Sequence, residues 1–225
     1  SVKLQQVSGY IETGMASVKG SGSVAAVQRS AQSIDTAFLL ELPKLVTGGK
    51  CGYVLAVAPM PSDTEWAGCG IYESSDGSTY SYVEQTETEA VYGDVINVLG
   101  DRIVVRLTSD ATLNSYTSEE AFLLSGFDNL AYMPDSGMFL RIGSAIQVGS
   151  RIWEITMLIA DVMGCPVLNG FQHISAGQIV FLSSTMFFRE KPAILAGNRY
   201  YYKFPSHSTA GTMQDLSDCT AFSDT

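Results

Sequence analysis

The sequence predicts an all-β protein, built as two small β-sandwich or barrel subdomains with short helical turns. Three observations lead there. Short runs of apolar, β-branched and aromatic residues recur along most of the chain, the composition of strands rather than helices. Turn-forming residues break these runs about every ten residues, a spacing that suits a sandwich or barrel. Helix start signals are few.

The opening stretch "SVKLQQVSGYIET" alternates as a strand does, and "GMASVKGSGSVAAVQRSAQS" continues through small and polar residues as a linker does. Residues 1–33 therefore read as a strand and a Gly/Ser-rich linker. From Ile34 the pattern changes: "TAFLLELPKL" and "GYVLAVAPM" are short apolar runs, each interrupted by Pro. "CGIYES" and "TYSYVEQTE" flank "SSDGS", where Asp76-Gly77 reads as the turn of a hairpin because Gly supplies positive φ and Asp tolerates it. "DVINVLG" and "DRIVVRLTS" extend a first β subdomain over 34–116. In "YTSEEAFLLSGF", Thr117 or Ser118 as N-cap with Glu119 and Glu120 in the first turn predicts a short helix. It divides the first subdomain from a second at 117–205. There "GMFLRIGSAIQVGSRIWEITMLIADV", "GQIVFLSSTMFF" and "NRYYYKF" supply the strands. The remainder, 206–225, reads as a loose polar tail, ordered only against a partner. No repeat of fixed period occurs, which argues against a propeller.

Composition limits the function. Hydrophobic residues make up 46% of the chain, enough to fold. Charged residues make up only 16%, with Ser, Thr and Gly in their place, as suits surfaces that meet other chains. The net charge is −10, and the 13 basic residues form no run or stripe. Nucleic acid and anionic membrane surfaces are therefore poor partners. The longest apolar runs are far too short to span a bilayer. No signal peptide is expected, and Ser1 in place of Met suggests a processed product or an excised piece.

Candidate chemistry is sparse. Cys51, Cys69, Cys165 and Cys219 form no CxxC pair and no His sits at zinc-ligand spacing, so buried thiols are expected, with a Cys51–Cys69 disulfide as the alternative. No catalytic residue, cofactor or metal is expected. G-x-S-x-G is missing. His173 and His207 are the only histidines. Glu84, Glu87 and Glu89 lack the Gly turn and spacing of a calcium loop. The "SSDGS" turn differs from a sialidase aspartate box, S-x-D-x-G-x-T-W, because Asp76 and Gly77 are adjacent and the motif occurs once. On a strand, Tyr200 and Tyr202 share one face and Tyr201 takes the other. With Trp66 and Tyr72 they form the candidate contact set, for a glycan or for an interface.

The order of segments carries a resemblance. "FLLELPKL", followed by "GYVLAVAP…WAGCGIYESSDGSTYSYV", resembles a stretch of the large tail-tip or baseplate-hub proteins of siphophages and gene transfer agents, which contain a TIM-barrel-like region upstream. In that family an L-x-L-P segment, here Leu40 to Pro43, precedes a W-x-G-[AC]-x-[IL]-Y-x-S-x-D-G-G-x-[ST]-Y segment, here Trp66 to Tyr80. "RIVVRLTSDATLNSYTSEEAFLLSGFDNLAYM" and "FQHISAGQIVFL…ILAGNRYYYKF" are similar to its later blocks. The resemblance spans residues 38–204 in order. It departs at 157–166, where "MLIADVMGCP" stands in place of an Arg-rich segment, so no anion or partner contact through those arginines is carried over.

The resemblance implies a structural virion protein of a phage or phage-like tail tip. Such a protein is made in the bacterial cytoplasm and works as a homotrimer among other tail proteins, linking the tail tube to distal receptor-binding parts, with no catalytic residues in this portion. Two readings from other classes stand beside it. One is a carbohydrate-binding β-sandwich presenting Trp66, Tyr72 and Tyr200 to Tyr202 to host-surface glycans. The other is a cell-wall hydrolase using His173 and a nearby carboxylate.

Overall fold

The computed structural model describes residues 31–42, 52–59, 65–100, 102–116, 130–156, 159–160, 174–190 and 199–223. The expected opening strand, almost all of the linker and the expected helix at 117–126 lie outside the described residues. In chain order the first strands are β1 (Ile34–Leu42), β2 (Gly52–Pro59), β3 (Trp66–Ser74), β4 (Ser81–Thr86), β5 (Val91–Leu99) and β6 (Arg102–Leu107). Then come β7 (Leu130–Met133), β8 (Met138–Arg141), β9 (Ser144–Gly149), β10 (Ile152–Thr156) and β11 (Ile159–Ala160). The last are β12 (Gly177–Phe181), β13 (Phe187–Glu190), β14 (Tyr201–Lys203), β15 (Ser206–Ser208) and β16 (Phe222–Ser223), with a 3-10 turn at Leu216–Asp218. The described chain is all-β, as the strand-like runs and scarce helix signals predict.

The strands form three antiparallel sheets. A three-stranded sheet has the order β1-β2-β13, and an eight-stranded sheet the order β11-β8-β7-β12-β5-β6-β10-β9. In the five-stranded sheet, β3 pairs with β4 along one edge and with β14 and β15 in tandem along the other, and β16 lies beyond β14.

The small sheet is the middle layer. Along β2 the side chains alternate between two cores: Tyr53, Leu55 and Val57 join a cluster with Cys69, Ile71, Tyr202 and Phe204 of the five-stranded sheet. Val54, Ala56 and Ala58 join another with Tyr92, Leu130, Phe139 and Val180 of the large sheet. This explains why "YVLAVA" reads as unbroken apolar sequence: a strand buried on both faces has no polar side to show. Full burial of each Leu or Val here contributes roughly 1.5–3 kcal/mol. The other face of the large sheet closes on itself, with Ile103, Val105, Trp153, Ile155 and Ile179 in one cluster. Gly93 of β5 makes this packing possible. A Cβ there would sit 2.2 Å from the Arg106 carbonyl oxygen of β6, so no larger residue fits.

Two expectations are corrected. The division near residue 117 does not separate the sheets: β12 pairs with β5, β13 with β2, and β14 with β3, so each sheet draws on both sides of it. The cause is that long-range pairing follows shared buried faces, not proximity in sequence. The polar stretch after 205 is also part of the fold. Ser206 and Ser208 pair β15 to β3 and are buried, β16 pairs with β14, and Lys203 Nζ donates to the Leu216 carbonyl at 3.0 Å. Small serines fit a close strand edge that larger polar residues would not, so polarity alone misleads there.

Candidate functional site

The five aromatics of the candidate contact set gather on the five-stranded sheet. Trp66 and Tyr72 lie on β3, and Tyr201 and Tyr202 on β14, with Tyr200 just before it. They do not form an exposed row. Tyr202 is 1% exposed, inside the cluster between the five-stranded sheet and β2. Trp66 and Tyr200 pack half-buried against the same cluster, and Trp66 Nε1 is buried. Tyr201 takes the opposite face, as strand alternation predicts, with its ring 3.4 Å from where a Cβ on Gly77 would stand. Tyr72 meets Tyr82 edge to face, ring centroids 5.5 Å apart, and Tyr82 is the exposed member of the pair.

Tyr202 belongs to a buried polar knot that sequence reading missed. Its hydroxyl, that of Tyr53 and Glu73 Oε2 form a triangle of contacts, each phenol oxygen 3.0 Å from the carboxylate oxygen, and the two phenol protons are shared among its three sides. Arg189 of β13 donates to Glu73 Oε1 at 2.9 Å. The knot joins all three strands, β2, β3 and β14, to the edge strand β13. Burial pushes both phenols well above the ordinary tyrosine range, so they stay neutral donors. The signal in the sequence was present but not specific: Glu73 is the one charge on β3, and Arg189 follows two phenylalanines on β13.

The turn after β3 ties itself. Ser74 Oγ accepts from the Gly77 amide at 2.9 Å and donates to Asp76 Oδ1 at 2.8 Å. Asp76 Oδ1 in turn accepts from the Thr79 and Ser78 amides at 2.8 and 2.7 Å. Those amides hold the Asp76 carboxyl well below its ordinary range. Gly77 sits at φ +74°. Asp76 Oδ1 is thus spent on Ser74 and on the turn's own backbone, as an Asx turn requires.

A cleft of about 190 Å³ opens between the start of β5, residues 112–114 and the segment after β12. Its walls include Val91, Leu113, Leu130, Phe181 and Met186. Among the described residues Glu89 is the carboxylate that lines it. Partial burial pushes the Glu89 carboxyl above its ordinary value, against a hydrogen bond from Ser109.

His207 is half-buried on β15 and His173 lies outside the described residues. Among the described residues no group of three His, Cys, Asp or Glu side chains is placed to hold a metal ion. Cys69 and Cys219 are buried free thiols, and Cys51 and Cys165 lie outside the described residues. Among the described residues no helix is long and apolar enough to cross a membrane. Comparison with protein-family models and with curated proteins returns no match.

Proposed function

We propose that this chain is a structural, non-catalytic protein of a phage or phage-like tail tip or baseplate hub. It works as one copy in a ring, a trimer on the tail axis, and joins the tail tube to distal receptor-binding parts. The observation that carries this reading is the ordered resemblance over 38–204, because its separate motifs meet in space. The Trp66–Tyr80 segment forms β3 and its turn, and the distant "RYYYKF" segment forms β14 directly beside it, with Tyr202 opposite Glu73 and Lys203 opposite Tyr72.

The surface supports a covered role. Ile96, Leu99, Ile146 and Val148 are four of the exposed large apolar side chains among the described residues, and all lie on β5 or the edge strand β9 of the large sheet. A ring needs two different faces on each copy to meet, and an uncharged edge strand such as β9 is a natural meeting place. The carbohydrate alternative needs an open aromatic platform. Tyr202 is buried and the other four rings are half-buried, so these five residues do not supply one.

The deciding experiment is imaging of the assembled particle. Density for this chain around the axis at the tail tip supports the proposal. Its presence as a capsid decoration, or only as a soluble monomer absent from particles, overturns it.

A further inference from the structure

We infer that the cleft at Glu89 is a recognition slot for a single cationic side chain, a lysine or arginine presented by a partner polypeptide. This does not depend on where the chain sits in a particle.

The shape comes first. The slot is narrow, about 190 Å³, and its depth is apolar: Leu130, Phe181 and Leu113 are buried residues of the surrounding core. Such a space takes one long, thin group and excludes a folded segment. Polar residues line it as well, Thr112, Asn114, Ser183 and the exposed Glu89. A lysine or arginine has the matching parts, an apolar stem ending in a charged head.

The charge comes second. Among the described residues no Lys, Arg or His lines the slot beside Glu89. The adjoining depression of about 340 Å³, along Gln85, Thr86, Thr88 and Thr185, adds Glu87 and again no cation. The whole chain carries −10. A cationic head therefore approaches down a favourable potential and meets an exposed carboxylate at the slot. A neutral sugar gains nothing from that charge.

The test uses the full chain and three small probes: N-acetyl-lysine methylamide, N-acetyl-arginine methylamide and, as the uncharged isostere, N-acetyl-norleucine methylamide. Methyl and amide resonances of Leu113, Leu130 and Met186 are followed during titration. Saturable shifts with the lysine or arginine probe, weakened by high salt, are expected. Glu89→Gln should reduce that affinity about tenfold, the worth of a charge-assisted hydrogen bond. Glu89→Asp should retain most of it, and the norleucine probe should bind no better than to Glu89→Gln. An unchanged spectrum of the remote core residue Ile103 shows that both variants fold. No saturable shift with either cationic probe overturns the inference. So does equal affinity for the norleucine probe, or unchanged affinity in Glu89→Gln.

Discussion

Tyr53 and Tyr202 stand 149 positions apart in the chain, yet their hydroxyls converge on one oxygen of Glu73. The middle sheet and the five-stranded sheet are pinned at that point by a carboxylate that also holds Arg189. Glu73→Ala leaves two phenols and a guanidinium without their acceptor, and the phenols are buried. It should cost about 1–3 kcal/mol, against about 1 kcal/mol for Tyr202→Phe, which removes one donor and keeps the ring. Urea unfolding of the two variants measures both. Equal costs would mean that the carboxylate does not organise the knot.

The Asp76 turn sets a pH dependence. Its carboxyl is depressed, chiefly by the Thr79 and then the Ser78 amide. A depressed carboxylate adds stability that is complete above the unfolded-state value, near pH 4, and is lost as pH falls through the folded value. Asp76→Ala should therefore flatten the loss of stability below about pH 4. Chemical denaturation at pH 7 and pH 3 gives the comparison, and an unchanged slope would contradict the assignment. At the next position, Gly77→Val should cost about 1–2 kcal/mol, because a β-branched residue resists positive φ, whereas Gly77→Asn should cost less.

Charge tolerance should separate two strands of similar composition. Lysine at Val54 or at Leu55 enters a buried core in either case, since the two side chains face opposite clusters. Both variants should fail to fold or lose at least about 3 kcal/mol. Lysine at Ile146 or Val148 of β9 lands on surface that is 58% exposed at each residue. Those variants should stay within about 0.5 kcal/mol of the parent. Thermal melts of the four proteins provide the readout. A tolerated lysine at Val54 would remove the large sheet from that face.

The Cys69 thiol, pushed up to about 12 by burial, should resist alkylation in the folded protein at pH 8. The buried Cys219 thiol, also raised by burial, should behave alike. Iodoacetamide labelling followed by peptide mapping should find both modified only after unfolding. Rapid labelling of Cys69 in the native state would show that β3 is not the covered strand described above.

How much of this was legible in the sequence depends on how local each signal is. The continuous run at 53–58 announced a strand, and the adjacency of Asp76 and Gly77 announced a turn, because each depends on neighbours in sequence. The partner of β3 was not announced. Tyr202 lies 129 positions from Glu73, and nothing in either stretch names the other. The cleft was equally silent, since it is assembled from 89–91, 112–114 and 181–186, none of which is unusual alone. The tyrosine triplet was read correctly for alternation, but which face would be buried depended on a sheet that sequence pattern does not reveal.

The pairing of β3 with both β4 and the strands at 201–208 gives the molecule a waiting time. On a ribosome, the β3–β4 hairpin can close within microseconds of emerging. The opposite edge of β3 must then remain unpaired while more than a hundred further residues are made, at roughly 5–20 residues per second. Until then that edge of β3 lacks its partner strands, and Cys69 and Ile71 lack the Tyr202 and Phe204 that complete their cluster. Chaperone supply and translation speed, rather than final stability, should therefore limit how much of this protein a cell can accumulate.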